Sequence, residues 1–187
     1  MLLMMLEKGE QIDDVVFFDW GMEFPQMYEH LEKLEAYIKR PITRLYPLHS
    51  FDFYQNEYVL VKGKRRGQVG YGLPHAKARW CTGIKRDVIK KYVGRHTVQC
   101  IGYCFQERRR ATYPDHHRYP LLEWGVHSVV ALEYCKSKGF DWGGLYKIYP
   151  RVSCMCCPFS RKYKGNKVIL IPKSKGFIES VLSEGNE

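Results

Sequence analysis

The chain has 187 residues, of which 45% are hydrophobic and 14% aromatic, and a formal net charge of +10. This composition is typical of one globular domain, here 1–187, that buries a core without disulfide bonds; it excludes low-complexity, repeat and fibrous proteins. The positive charge favours polyanionic partners, either nucleic acid or small molecules that carry phosphate or sulfate.

The N-terminal segment is apolar over residues 1–6, but the charged residues Glu7, Lys8 and Glu10 follow at once. Because no basic segment precedes this run and no small-residue cleavage site follows it, it predicts neither a signal peptide nor a membrane span. Seven cysteines, an odd number, without a secretion signal predict a cytoplasmic protein whose thiols stay free or bind metal. We therefore expect no membrane partner.

The first part of the chain alternates predicted helices and strands. Residues 1–8 favour a helix, and the continuous apolar run 15–18 is typical of a strand buried on both faces. A helix over 25–39 begins with a proline, which suits a first helical position. Its apolar face consists of Met27, Leu31, Leu34 and Ile38. Residues 42–46 predict the next strand and complete a βαβ unit with a right-handed crossover.

The rest of the chain continues this alternation. We expect helices at 76–92, 128–138 and 177–182, and strands at 97–103 and 167–171. Residues 51–54 predict a short helix or packed loop, and 120–124 predict a segment that leads into the helix at 128–138. An exposed basic turn at 63–72, a polar loop at 106–119 and a connecting segment at 141–149 link these elements. The sequence thus predicts an α/β fold with a doubly wound, mostly parallel sheet flanked by helices and a cysteine-rich C-terminal region.

The cysteine-rich stretch is RVSCMCCPF at 151–159, which holds three of the seven cysteines. Cys154 and Cys157 have the C-x-x-C spacing that lets two thiolates of one turn face the same metal ion or cluster. Cys81 is the natural further ligand, and Cys156 or Cys104 could supply the fourth.

Three other interpretations of these cysteines stay open. Free cysteines often pack as small apolar residues, a C-x-x-C can be a redox pair, and two close cysteines can form a disulfide. Three cysteines crowded beside Pro158 are hard to explain by packing alone, so the spacing favours metal or cluster binding.

Several stretches taken together resemble the phosphoadenosine phosphosulfate (PAPS) reductase family of the adenine nucleotide alpha-hydrolase-like (PP-loop) superfamily. VFFDWGMEFP at 16–25 resembles the strand and D-x-G-x-E-F-P turn of the family, and RWCT at 79–82 with Lys85 resembles its R-W-C-T…K motif. The resemblance continues in order through IGYCFQE with Arg110, YPLLEW and RVSCMCCP, at 101–107, 119–124 and 151–158. The cysteine-rich ending resembles phage and prophage members.

The resemblance implies specific roles for residues of this chain. Asp19 and Gly21 would line one wall of a crevice for an adenine nucleotide, and Gly102, Glu107 and Arg110 would form the second wall. Positive charge for a sulfate or phosphate would come from Arg79, Lys85 and Arg151. Relatives hold a 4Fe-4S cluster with comparable cysteines, which implies Cys81, Cys154 and Cys157 as ligands here; Cys156 is the candidate fourth ligand, which the resemblance leaves open. All-sulfur ligation suits that cluster or structural zinc equally well.

The chain departs from the family pattern at both ends. It begins after the position of the phosphate-binding loop S-G-G-K-D-S, whose backbone amides hold nucleotide phosphates, so we expect an N-terminally shortened domain. It also lacks the E-C-G-L-H motif that carries the nucleophilic cysteine of family reductases. These departures predict weak nucleotide binding and low or absent turnover in this form.

Two alternatives follow from the same features. The first is a non-catalytic phage protein whose basic surface binds nucleic acid or a host defence complex, through residues such as Lys64, Arg65 and Arg66. The second is a component of a complex that transfers sulfur to nucleic acid. Salt-sensitive association would support the first alternative, and co-purifying partners would identify the second.

Overall fold

A computed structural model describes residues 1–75, 77–112, 115–164 and 167–170, with the backbone alone described from residue 161 onward. Seven α-helices lie within this part of the chain: α1 (Leu2–Glu7), α2 (Pro25–Ile38), α3 (Phe51–Asn56), α4 (Trp80–Val93), α5 (Pro120–Glu123), α6 (Ser128–Ser137) and α7 (Leu145–Ile148). Two 3-10 helices span Phe105–Arg110 and Trp142–Gly144. No helix of the described residues has the length and apolar character needed to cross a membrane.

Six short strands form three two-stranded sheets in the described part of the chain. The strands are β1 (Val16–Phe18), β2 (Thr43–Leu45), β3 (Gln99–Cys100), β4 (His117–Arg118), β5 (Arg161–Lys164) and β6 (Lys167–Leu170). β1 pairs with β2 in parallel, β3 pairs with β4 in parallel, and β5 and β6 form an antiparallel pair. Helices combined with small parallel sheets confirm the α/β class.

The β1–α2–β2 unit agrees with its sequence prediction. Val16 lies opposite Thr43 in the parallel pair, and α2 connects the two strands. Pro25 occupies the first turn of α2, where a missing N–H costs no helical hydrogen bond. Leu31, near the middle of the predicted apolar face, is buried, and the helix ends at Lys39 in a left-handed conformation. The spacing of apolar residues was therefore sufficient to locate this unit.

Later elements depart from their predicted bounds. The helix predicted from residue 76 begins at Trp80 instead, because His75 and Ala78 pair with each other in a tight antiparallel bridge just before it. The strand predicted at 97–103 is only Gln99–Cys100, since its partner β4 is also two residues long. β4 and a 3-10 helix lie in the stretch predicted as a polar loop, so that prediction was wrong. The helix predicted at 177–182 lies outside the described residues.

The core that positions the site is an aromatic cluster around Trp20, which is 8% exposed. The Trp20 ring makes edge contacts with four other rings, at centroid distances of 5.4–5.9 Å: Phe18, Phe51, Tyr54 and Trp80. Edge-to-face geometry is favoured because the positive ring edge meets a negative ring face. β1, α3 and α4 are therefore held together at one point, directly after the end of β1.

The 140–149 segment packs against α2, on the side where His30 lies. The His30 ring stacks on Trp142 at 4.8 Å, and Phe24 packs on Tyr149 at 5.2 Å. The residues Trp142, Gly143 and Gly144 all have positive φ angles, which produce the sharp turn that leads into α7. This turn delivers the chain to the cysteine stretch.

Candidate functional site

Asp19 begins a tight turn directly after β1. Its carboxylate is 7% exposed and accepts hydrogen bonds from the Gly21 N–H at 2.6 Å and the Tyr28 hydroxyl at 3.0 Å. Burial, followed by the hydrogen bond to Asp19, raises the pKa of Tyr28 well above its ordinary value. The carboxylate is thus used within the protein, where it fixes the turn and the start of α2.

Gly21 is the exposed corner of this turn. Its φ angle is +70°, which favours glycine, and a Cβ placed there would meet no atom within 4 Å. The backbone of the turn is therefore open on this side. A ligand could approach Gly21 closely without first displacing a side chain.

The cysteine turn, defined here as 154–157, attaches directly to the Asp19 turn. The Met155 N–H donates to the Met22 carbonyl at 2.7 Å, and the Cys154 thiol donates to Glu23 Oε1 at 3.4 Å. Cys156 is 5% exposed and belongs to the aromatic cluster around Trp20. The turn itself is closed by the Cys157 N–H, which donates to the Cys154 carbonyl at 3.0 Å. Sequence positions more than a hundred residues apart therefore meet here.

Cys81 reaches the same place from the first turn of α4. Its side chain packs against the aromatic cluster, as does that of Cys154. Burial raises the pKa of the Cys81 thiol, and the nearby Cys157 acts in the same direction. Three of the four cysteines predicted from the sequence, Cys81, Cys154 and Cys156, therefore pack on one aromatic cluster, and Cys157 lies near Cys81.

The Cys154–Glu23 pair is a half-buried proton donor and acceptor. Burial is the main reason why the pKa of each group is raised, and the charge of Glu23 raises that of Cys154 further. Without a cation, the thiol therefore stays protonated and hydrogen-bonded at neutral pH. A bound metal ion would favour the thiolate instead, because ligand sulfur is deprotonated on coordination.

Two of the three predicted anion-binding side chains lie beside the cysteines. Arg79 precedes α4, and its guanidinium stacks over the Phe159 ring at 4.6 Å. Lys85 lies one turn after Cys81 on α4, and its positive charge lowers the pKa of Glu23 against the larger effect of burial. Both side chains are exposed, so an anion in this region could reach them.

The third, Arg151, lies with the residues predicted for the second wall. Glu107 accepts hydrogen bonds from Arg151 at 3.4 Å and from Arg110 at a shorter distance. The Arg110 guanidinium also lies 4.4 Å from the centre of the Tyr103 ring, a cation–π contact. Glu107 therefore pairs with Arg110, three residues later in the sequence, and with the distant Arg151.

Gly102 lies just after β3 and is exposed. A Cβ placed there would lie 3.7 Å from the Met1 sulfur, an ordinary contact, so Gly102 marks the packing of α1 beside β3. The first wall follows β1 and the second follows β3, and these strands pair with different partners. Each predicted wall is assembled locally from its own group of side chains.

Three residues that the sequence analysis did not select take part in the site. Glu23 and Tyr28 fix Cys154 and Asp19, and Tyr103 lies under Arg110. Glu23 could have been found from its place inside the D-x-G-x-E-F-P stretch. Tyr28 had only a weak signal, namely its place one turn into the helix after Asp19.

The arrangement offers sulfur donors and anion-binding groups in one region. Within the residues that the structure describes, no group of three or more His, Cys, Asp or Glu side chains has an arrangement that could hold a metal ion. None of the seven cysteines, all of which lie in the described residues, forms a disulfide bond, and burial raises the pKa of five of them: Cys81, Cys100, Cys104, Cys135 and Cys154.

No protein-family model matches the chain, and no solved structure matches it. The chain is similar to an uncharacterized protein of Methanocaldococcus jannaschii, with 26% identity over 90% of this chain and 35% of that protein. It therefore spans about a third of the length of the curated relative that it matches.

Proposed function

We propose that the chain is a PAPS-reductase-like protein that binds an adenine nucleotide or a related anion weakly, beside a metal centre held by cysteines. The observation that supports this most strongly is the convergence of Cys81 and the cysteine turn on the Asp19 turn. The proposal joins motifs spread over most of the chain to one place in the fold.

The proposed architecture extends the observed parallel pairs to a doubly wound sheet, with the cysteine-rich region at its carboxyl edge. Asp19 follows β1 and Gly102 follows β3, so both lie beyond the carboxyl ends of parallel strands. Ligands of doubly wound folds bind in a crevice at these ends. In this arrangement the two walls would face one crevice.

The proposed centre uses Cys81, Cys154, Cys156 and Cys157 as ligands. Thiolates are soft donors that suit a 4Fe-4S cluster or zinc, and Cys81, Cys154 and Cys156 pack against the aromatic cluster. A bound cluster would supply electron transfer, whereas zinc would supply a structural link between α4 and the cysteine turn. Metal loading would require side-chain rearrangement, since the Cys154 thiol here donates to Glu23.

The proposed anion site lies between Gly21, Arg79 and Lys85. Gly21 leaves its backbone accessible, and the two cations are exposed near the N-terminus of α4, whose dipole also favours anions. We expect weak binding because Arg110, assigned to the second wall, and Arg151, assigned to anion binding, already share Glu107. A ligand must compete with that carboxylate for both guanidinium groups.

The metal centre is tested by anaerobic purification followed by iron, zinc and acid-labile sulfide analysis with an absorbance spectrum. We expect iron with sulfide, or zinc, in the parent chain and its loss in Cys157→Ala. Cys100→Ala is the matched control, because Cys100 lies in β3, outside the proposed centre, and should retain the metal. A parent chain that contains neither metal, or equal metal in both variants, would contradict the centre.

The anion site is tested by calorimetric titration with adenosine 3′,5′-bisphosphate. We expect weak binding by the parent chain. The double variant Arg79→Gln, Lys85→Gln should bind more weakly still. The control variant Lys91→Gln removes an exposed cation of the same helix away from the cysteines. Binding that is unchanged in the double variant would place the anion elsewhere and refute this assignment.

A further inference from the structure

Residues 58–71 form a two-stranded arm, here named the basic hairpin. Val59 and Val69 pair in an antiparallel bridge, and the Leu60 N–H donates to the Gln68 carbonyl at 2.9 Å. In the other direction, the Gly67 N–H donates to the Leu60 carbonyl at 2.8 Å. The hairpin is thus a defined structural element, although its tip at 61–69 is exposed throughout.

The base of the hairpin is fixed to the core. The Tyr71 N–H donates to the Tyr54 carbonyl of α3 at 3.0 Å, and a Cβ at Gly70 would lie 2.3 Å from the Gln55 carbonyl oxygen. Such a close approach of two backbones is compatible only with glycine. The arm therefore projects from the aromatic cluster at a fixed place.

The charge of this region has one sign. No Asp or Glu lies between Glu57 and Asp87 in the sequence, whereas the tip holds Lys62, Lys64, Arg65 and Arg66. Arg65 donates to Gln68 at 2.7 Å and so contributes to the turn. The other three cations form no ion pair with a carboxylate within the described part of the chain, and all three are exposed. They are available to neutralise phosphates of a partner.

A cavity of about 260 Å³ opens at the side of the hairpin. Its lining combines aromatic rings, aliphatic groups and one ammonium group: Tyr58, Leu60, Val61, Lys62 and Tyr71. The rings of Tyr58 and Tyr71 stack at 5.3 Å, and Tyr71 stacks on Trp80 at 5.4 Å, which gives a rigid ladder of three rings. A planar group in the cavity would find a ring, aliphatic side chains and a cation together.

We propose that the basic hairpin binds single-stranded nucleic acid, with an unpaired base in the cavity beside Tyr58 and phosphates on Lys62, Lys64 and Arg66. Proteins that bind single strands combine a positively charged surface with aromatic side chains on which bases stack. Both components occur here within one short arm. The shared chemistry covers single-stranded DNA and RNA.

A duplex and an acidic protein fit this surface less well. A duplex keeps its bases stacked inside, so it would use the cations but leave the cavity unused. An acidic protein segment without aromatic side chains would pair with the cations but leave the cavity and the ring ladder unused. The combination of cavity and cations therefore favours the single strand.

The test is fluorescence anisotropy with the full chain and labelled 20-nucleotide oligo(dT) and oligo(U), titrated at several salt concentrations. In the triple variant Lys62→Gln, Lys64→Gln, Arg66→Gln we expect at least about tenfold weaker binding at low salt. The slope of log affinity against log salt should decrease by about 2, since each phosphate contact to a single strand contributes about 0.7. The control triple Lys91→Gln, Arg95→Gln, Lys136→Gln removes the same charge from exposed positions elsewhere and should retain most of the affinity.

An abasic 20-mer of deoxyribose phosphate tests the cavity without altering the protein. We expect it to bind at least about fivefold more weakly than oligo(dT), the smallest effect of one stacked base. Equal affinity for the abasic strand, equal or tighter binding of a duplex, or tighter binding of polyglutamate would overturn the proposal. Equal losses of affinity in the two triple variants would also overturn the proposal. Loss of metal in Cys157→Ala bears on the proposed function alone, so the two can fail separately.

Discussion

Asp19 and Glu107 are carboxylates placed shortly after β1 and β3, yet they are held in different ways. Asp19 is buried and accepts hydrogen bonds from its own turn and from Tyr28, next to the aromatic cluster. Glu107 is half-buried and shared between Arg110 and Arg151, which are exposed. The first wall therefore depends on burial and fixed hydrogen bonds, whereas the second depends on charge pairs that salt and ligands can disturb.

Trp20→Ala should produce the largest effect, because it removes the ring at the centre of the first wall. We expect the free energy of unfolding to fall by about 3–5 kcal/mol, as for other buried aromatic side chains. Chemical denaturation followed by circular dichroism measures this loss. Tyr46→Ala, at a ring that is 59% exposed, should cost less than about 0.5 kcal/mol. Similar losses in both variants would mean that Trp20 is not the centre of the core.

Asp19→Asn compared with Glu107→Gln tests the two carboxylates directly. The first change removes the charge from a buried acceptor, and hydrogen bonds to charged groups contribute about 1.5–3 kcal/mol. We expect Asp19→Asn to cost about 1 kcal/mol or more, and Glu107→Gln about 0.5 kcal/mol, because exposed ion pairs contribute little. Urea denaturation at low and high salt measures both. An equal or reversed order would remove the distinction between the walls.

Alkaline pH should weaken the first wall through Tyr28. Burial and the Asp19 hydrogen bond raise the pKa of Tyr28 in the folded state above its ordinary value of 10.0. A group with a raised folded pKa contributes stability that is present below pH 10 and is lost as the pH rises above that value. Unfolding measured from about pH 8 to pH 11 should show a smaller alkaline loss in Tyr28→Phe than in the parent. Identical profiles would contradict the role of Tyr28.

Arg151→Gln should have the smallest effect on stability. The Arg151 side chain is 70% exposed and its pair with Glu107 spans 3.4 Å, so we expect a change of about 0–0.5 kcal/mol. Thermal unfolding should show this small difference from the parent at low salt, and the difference should disappear at about 1 M salt, where charges are screened. A loss comparable to that of Asp19→Asn would show that the second wall is also a structural element.

The β1–α2–β2 unit and the cysteine turn could be predicted from the sequence because their signals are local or chemically specific. The apolar run before Asp19, the proline of α2 and the C-x-x-C spacing each restrict the local structure strongly. Cys81 and the cysteine turn, which their residue types suggested as partners, pack on the same aromatic cluster, whereas their role as metal ligands stays a prediction.

Other features had no local signal. β3 and β4 are two residues long, so their extent is decided by pairing rather than by the apolar pattern around Gln99. The contact between Met155 and Met22 joins distant parts of the chain through backbone atoms, which every residue type has. The stacking of Tyr58 on Tyr71 depends on the path of the hairpin between them. Packing in three dimensions decided each of these.

The hydrogen bond from Met155 to Met22 also bears on the order in which the protein folds. The two residues are 133 positions apart in the sequence, so forming this bond closes a long loop and is entropically costly. The β1–α2–β2 unit needs only short-range contacts and can form early. During folding we therefore expect Cys81 to pack against the aromatic cluster before the cysteine turn does. In that interval its thiol would be most accessible to alkylating reagents and oxidants.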